Sequence, residues 1–184
     1  MCMASNNSSA IESIFSRASV RSYSEEKISR KTVEGLLDAA VRAPSAMHLE
    51  PWAFVVVSDR ELLKALSDRA KPLFLEKLHH APASFSDPDF DVFHGAGTLI
   101  VICAKPSTFS EADCWLAAEN LMLAACSMGI GTCVIGSSVD AINLSKTELG
   151  IPAEFEAIAP IVIGYPAVKT EPSSRKTPNI LAWR

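Results

Sequence analysis

What this chain lacks narrows it quickly. No GxGxxG follows a first apolar run, and GxxxxGK[ST], HExxH and GxSxG are all missing, so a dinucleotide fingerprint, a P-loop, a zincin helix and a hydrolase elbow are set aside. The five cysteines (Cys2, Cys103, Cys114, Cys126, Cys133) form no CxxC pair and are odd in number. Cys103, Cys126 and Cys133 lie in apolar runs, where a thiol behaves as a small hydrophobe, a pattern that points to a reducing compartment without disulfides or a structural metal. The four histidines have no partner at metal spacing: His79, His80 and His94 read as surface or structural residues, and no serine is marked as paired for a catalytic triad. Basic excess is also missing. A net charge of −4 argues against nucleic acid and confines any anion binding to a local cluster. The longest apolar runs, "LIVICA" and "LMLAAC", are far too short for a bilayer, and "MCMASNNSSAIESIF" lacks the basic-then-apolar order of a secretory signal. A cytoplasmic protein without a membrane partner is expected.

What is present is one domain's worth of globular chain: 184 residues, 48% hydrophobic and 21% charged, with no repeat or linker dividing it. Residues 1–10 are expected to form a loose tail. "SRKTVEGLLDAAVRAP" has helical spacing at Val33, Leu36, Leu37, Ala40 and Val41, with Ser29 as cap and Pro44 as stop. "WAFVVV" (52–57) is a strand, and "DRELLKALSDRA" a helix with Leu62, Leu63 and Leu66 on one face. A short helix over Phe74–His79 precedes a loop at "SFSDPDFD", and "TLIVICA" is a second strand. The strongest helix runs from Glu111 to Met128 and ends at Gly129. "TCVIG" is a third strand, "VDAINLSKTELG" a helix closed by Gly150, and "IAPIVIGYP" a fourth strand whose Pro160 predicts an edge or a strand end. The tail beyond is extended. Strands alternating with helices predict an α/β or α+β domain with helices covering a small sheet. Between Trp115 and Met128 only Glu119, Asn120 and Ser127 are clearly polar, so the long helix needs cover on nearly all sides. A second copy of the chain is one source of that cover, and the chain's own elements are the other.

Three stretches carry chemistry. In "FSRASVRSYSEEKIS", extended backbone would put Arg17, Ser19 and Arg21 on one face and Ala18 and Val20 on the other. Two guanidiniums beside a hydroxyl suit a phosphate, although a solvated edge strand can look the same. "RAPSAMHLEPW" runs from a helix end into a strand, a setting that concentrates binding residues, with Ser45 and His48 as donors. In "GIGTCVIG", Gly129 and Gly131 read as a helix stop and tight turn, whereas Gly136 at a strand exit would admit a flat ligand. The tail adds the adjacent cations Arg175 and Lys176.

In order and spacing, from about Ile11 to Trp183, these stretches resemble the FMN-dependent nitroreductase family. "SRASVRSYSEEKIS" is similar to its opening Arg-x-Ser-x-Arg-x-aromatic motif, "AAVRAPSAMHLEPWAFVVV" to its Pro-Ser loop and first strand, and "AAENLMLAACSMGIGTCVIGS" to its long helix and glycine-bearing strand end. "LGIPAEFEAIAPIVIGYP" and "RKTP" match its C-terminal part. The resemblance implies an α+β fold with a central, mainly antiparallel sheet flanked by helices, and an intertwined homodimer with FMN at its interface. It implies that Arg17, Ala18, Ser19 and Arg21, with Arg175 or Lys176, hold the phosphate and ribityl chain. Pro44, Ser45, Ala46 and His48 would reach the flavin from the second subunit, and Ile135, Gly136 and Ser137 would line the ring. NADPH or NADH would be the donor and a nitroaromatic, quinone or similar electron-poor molecule the acceptor, in ping-pong order, with no side chain acting as acid or base. His48 stands where the family commonly has asparagine and Glu50 where it has glutamine; a carboxylate there disfavours an anionic reduced ring unless it is paired. The segment "KPSTFSEAD" is short, so the cover over the substrate pocket is expected to be minimal. A flavin-binding protein with little turnover and a specialised reductase of the same family are the alternatives.

Overall fold

Every residue of strand β2 (Thr98–Ala104) is buried, which requires cover on both faces of the sheet. The computed structural model describes residues 9–77 and 82–184. The sheet has the order β1-β2-β4-β3, where β1 is Trp52–Val57, β3 Gly131–Val134 and β4 Glu156–Gly164, and every pairing is antiparallel. Ile100, Ile102 and Ala104 pack with α2 (Arg30–Ala40) and α4 (Ser110–Ser127) through Leu36, Ala40, Ala117 and Leu121. Leu99, Val101 and Cys103 alternate to the other face, against α3 (Arg60–Lys77) and α5 (Val139–Leu144) through Leu63, Leu66, Ala141 and Ile142. The result is the expected α+β class, three layers with an antiparallel sheet in the middle. Among the described residues, no helix is long and apolar enough to cross a membrane.

Several local expectations are corrected. Of the supposed tail, residues 1–8 lie outside the described residues, but Ser9 and Ala10 begin α1 (Ala10–Ser16). The Ser9 hydroxyl accepts from the Glu12 N–H at 3.2 Å and the Glu12 carboxylate from the Ser9 N–H at 2.6 Å, a complete capping box. One helix, α3, replaces the expected pair; it runs through Pro72 to Lys77, and the His79 end of the expected short helix lies outside the described residues. "VDAINLSKTELG" divides at Ser145 into α5 and α6 (Lys146–Leu149), with Gly150 closing α6 at φ 68°.

Pro160 is the instructive case. It sits inside β4, a central strand, opposite Val101. Its carbonyl accepts from the Ile135 N–H at 2.9 Å, so its missing N–H also faces the β3 side, one residue past the end of that strand. The Ile135 carbonyl that Pro160 cannot serve accepts instead from the Ser138 N–H at 3.0 Å and the Ser138 hydroxyl at 2.8 Å. The proline therefore ends a neighbour's strand rather than its own.

Gly131 is also not a turn residue. It lies in β3, and a Cβ there would stand 2.7–2.9 Å from three side-chain atoms of Val20. Gly35, in helix α2, has open space around its missing Cβ. Gly131→Ala should therefore cost about 1–3 kcal/mol by overpacking, whereas Gly35→Ala should add up to about 1 kcal/mol of helix propensity. Urea unfolding of the two variants checks both signs.

Candidate functional site

After α1 the chain leaves helical geometry at Arg17 and lies along the open edge of β3. Val20 N–H donates to the Thr132 carbonyl at 3.0 Å, and Ser19 bridges Thr132 in parallel. Further along, Ser24 N–H donates to Tyr165 O at 2.8 Å and Ala167 N–H to Ser22 O at 3.0 Å. The Tyr23 ring occupies the space left by Gly164, where a Cβ would come within 2.7 Å of it, and its hydroxyl donates to Val20 O at 2.7 Å. Burial pushes the Tyr23 phenol up, so it stays a neutral donor. The aromatic residue of the motif is thus a structural clamp that holds the extended segment in place.

The extended segment sends Ser19 and Arg21 toward Cys133. Burial pushes that thiol up, while Arg21, a hydrogen bond with Ser19, and Arg17 pull it down; Arg21 shares a cavity with Cys133, whereas Arg17 lines a different one. Arg17 Nε also lies 3.8 Å from Glu119 of α4. Arg21 has no ion-pair partner among the described residues. It opens onto a cavity of about 460 Å³ whose floor is Cys133 to Ser137 and whose far wall carries Phe74, Phe85, Phe90, Val92 and His94. Ile135 is buried, Gly136 is exposed, and a Cβ at Gly136 would meet nothing of this chain. Its glycine is thus not demanded by the protein's own packing, unlike Gly131 and Gly164.

The far wall was not foreseen. Its rings form a chain, with Phe74–Phe85 centroids at 4.5 Å, Phe85–Phe90 at 5.1 Å and Phe90–His94 at 5.9 Å. Two side chains of α3 pin it: Lys71 Nζ donates to Pro88 O at 2.7 Å, and Ser67 Oγ accepts from Val92 N–H at 3.0 Å. The "KPSTFSEAD" segment, from which only minimal cover is expected, does not line this cavity, whereas several of residues 82–94 do; His94 belongs to the cavity, not to a featureless surface. No spacing in the sequence marks it.

A second, smaller cavity of about 200 Å³ lies behind Arg17, lined by Ala18, Gly129, Ile130, Pro166, Lys169 and Thr170 among others. Lys169 is a cation that sequence reasoning passed over; its place directly after "IGYPAV" was the available signal. Arg175 and Lys176 lie exposed on the extended tail, and neither lines the cavity beside Arg17 or the one beside Arg21.

Pro44, Ser45, Ala46 and His48 sit elsewhere. Their loop precedes β1, the opposite edge of the sheet from β3. It is tied to the start of α4, where the Asp113 carboxylate accepts from Ala46 N–H at 3.1 and 3.2 Å. The Arg17 segment is tied near the other end of α4, where Ser16 Oγ meets Cys126 Sγ at 3.4 Å. From Asp113 to Cys126 the helix rises about 20 Å. One chain therefore holds the two predicted halves of the site far apart. Within the loop, Met47, His48 and Glu50 all have left-handed φ (52°, 57° and 44°), and Ser45 Oγ accepts from Glu50 N–H at 3.0 Å. Glu50 is paired, its carboxylate lying 3.1 Å from His48 Nε2.

Burial first, and then Arg21, hold His94 below the ordinary histidine range, against the opposing pull of Asp91. A lowered folded-state value means that the unfolded chain binds the proton more readily, so the contribution of neutral His94 is complete above the ordinary range and is lost as pH falls through the lowered value. Thermal unfolding between about pH 7 and pH 5 should show a steeper loss for the natural chain than for His94→Asn, a replacement that tolerates the φ of 56°.

Residues 14–165 match the Nitroreductase family. A protein of Archaeoglobus fulgidus bearing the name NADH dehydrogenase/NAD(P)H nitroreductase is 34% identical over 164 residues, 85% of this chain and 84% of that one. The 4-nitrobenzoate reductase of a Nocardioides species is 24% identical over 191 residues, covering 81% and 77% of the two chains. A nitroreductase of Bacteroides fragilis, solved with bound FMN, is 27% identical and superposes with a TM-score of 0.84 over 96% of this chain and 100% of its own. With the extended Arg-Ser-Arg segment seated on its sheet edge, the chain belongs to the Nitroreductase family.

Proposed function

We propose that this chain is an FMN-dependent oxidoreductase that uses NADPH or NADH to reduce nitroaromatics, quinones and similar electron-poor small molecules, donor and acceptor taking turns in one cavity. The observation that carries this reading is Arg21, a guanidinium without a carboxylate partner among the described residues, lining an aromatic-walled cavity that also includes Gly136. The donor set fits the group: cations for a phosphate and an anionic ring edge, a hydroxyl at Ser19, and a floor residue whose missing side chain leaves room for a plane. When bound, FMN would supply the redox chemistry, hydride transfer between nicotinamide and acceptor.

The protein's own work is binding, orientation and exclusion of water. Arg17, Ala18 and Ser19 hold the phosphate and ribityl chain, joined by Arg175 or Lys176 when the tail folds in. Arg21 would supply positive charge to the bound ring, and Ile135, Gly136 and Ser137 would line it. Phe85 and Phe90 keep water from the cavity and offer an apolar surface to flat acceptors.

Pro44, Ser45, Ala46 and His48 complete the site from a second copy. An exposed stripe on α4 supports this: Ala112, Trp115, Leu116 and Glu119 all face solvent at helical spacing. Two such helices paired antiparallel about a two-fold axis bring the Asp113 end of one beside the Cys126 end of the other. The exposed Ile11, Ile14 and Phe15 of α1, and Ile180, Leu181 and Trp183 of the tail, offer further apolar surface to the same partner. A reducing compartment such as the cytoplasm suits the buried thiols of Cys103, Cys114 and Cys133.

The first test is the visible spectrum of the purified protein with NADPH or NADH added anaerobically. A flavin spectrum that bleaches is the expected result, and the more effective nicotinamide identifies the donor. A flavin that stays oxidised with both would favour a binding protein or a reductase with another donor; no flavin after incubation with FMN would overturn the reading. In the second test, Arg17→Ala combined with Arg21→Ala should lose FMN on gel filtration while unfolding within about 1 kcal/mol of the natural chain.

A further inference from the structure

Asp113 is only 4% exposed, and among the described residues no cation lies within ion-pair distance of it. A buried carboxylate is costly unless its oxygens are served. Both Asp113 oxygens face one donor, the Ala46 N–H, at 3.1 and 3.2 Å, and the first turn of α4 adds its favourable field. Its helix neighbours Cys114, Ala117 and Ala118 are buried in an apolar cluster, where a hydrophobic side chain would pack without this cost. The loop explains why a carboxylate stands here. Met47, His48 and Glu50 all hold left-handed backbone that β-carbon-bearing residues adopt only under constraint. The hydrogen bonds among residues 44–50 are internal to the loop, His48 N–H to Ser45 O, Leu49 N–H to Ala46 O and Glu50 N–H to Ser45 Oγ. The Asp113–Ala46 contact is the side-chain bond that ties this shape to a rigid element.

We infer that Asp113 is a positioning residue for the cofactor site of the other subunit: it fixes Ser45 to His48 in the geometry in which they close the second copy's cavity, and does nothing for the cavity of its own chain. The inference rests on the FMN reading above. Asp113→Ala removes the acceptor, whereas Asp113→Asn keeps an amide oxygen for Ala46 N–H while abolishing the charge. FMN affinity, read from flavin fluorescence, should fall at least about tenfold in the alanine variant and stay near the natural value in the asparagine variant. Equal losses in both would overturn the inference, since charge or packing would then be what matters. Should the alanine variant not fold, Ala46→Pro deletes the donor instead; Ser45 already has φ −136° and ψ 150°, which a following proline accepts. The same tenfold loss is expected, and undiminished affinity overturns the inference.

The decisive measurement is a mixed dimer of one Asp113→Ala chain and one Arg21→Ala chain, isolated through two different tags. Action across the interface leaves one intact site, pairing the Arg21 of the first chain with the loop of the second, and so one tightly bound FMN per dimer. Action within a chain leaves both sites damaged and no tightly bound FMN, which overturns the inference alone. A natural chain that binds no FMN at all overturns the functional reading, and this inference with it.

Discussion

The arrangement depends on a side chain that is missing. Gly131 lets Val20 press against β3, and that contact allows a segment with no partner strand of its own to lie on the sheet edge. Everything electrostatic follows from it. With Val20 turned to the sheet, Ser19 and Arg21 must turn the other way, toward Cys133 and the strand end. Tyr23 repeats the device one step further along, its ring in the space left by Gly164 and its hydroxyl returned to the Val20 carbonyl. Two glycines on two strands thus hold a pair of guanidiniums in register.

Helix α4 acts as the spacer of the molecule. One face is buried against α2 and the sheet, its first turn holds the Pro-Ser loop, and its last turn meets α1. Its length separates the Pro-Ser loop from the Arg-Ser-Arg segment, and Trp115 and Leu116 leave an exposed stripe on the face turned away from the core. The near-absence of polar residues along it is a single fact with two structural consequences, a core on one side and an unfinished surface on the other.

Much of this was legible in the sequence, for identifiable reasons. β1, β2, α2 and α4 have long, consistent periodicity and clear stops, and their bounds fall within a residue or two of the expected ones. The short α1 was legible but was passed over: Ile11, Ile14 and Phe15 stand at helical spacing behind the Ser9–Glu12 capping box, at the end of the expected loose tail. Pro160 misled because its lost donor faces a neighbouring strand that has already ended, a relation no single strand reveals. His94 and Asp113 could not be singled out at all. The first matters through Phe90 and Arg21, the second through Ala46, and each reads alone as an ordinary polar residue.

The contacts that build the site have a further consequence for the order in which the protein is made. Ser19 pairs with Thr132, Tyr23 with Pro166 and Ala46 with Asp113, so these three ties join early chain to late chain. The Arg-Ser-Arg segment leaves the ribosome long before β3 and β4, yet it cannot dock until they have followed it out. The turn at Ile135–Ser138 likewise waits for Pro160. A partly synthesised chain can build helices α2 and α3, but it cannot seat the Arg-Ser-Arg segment, which docks only once the last strand is in place.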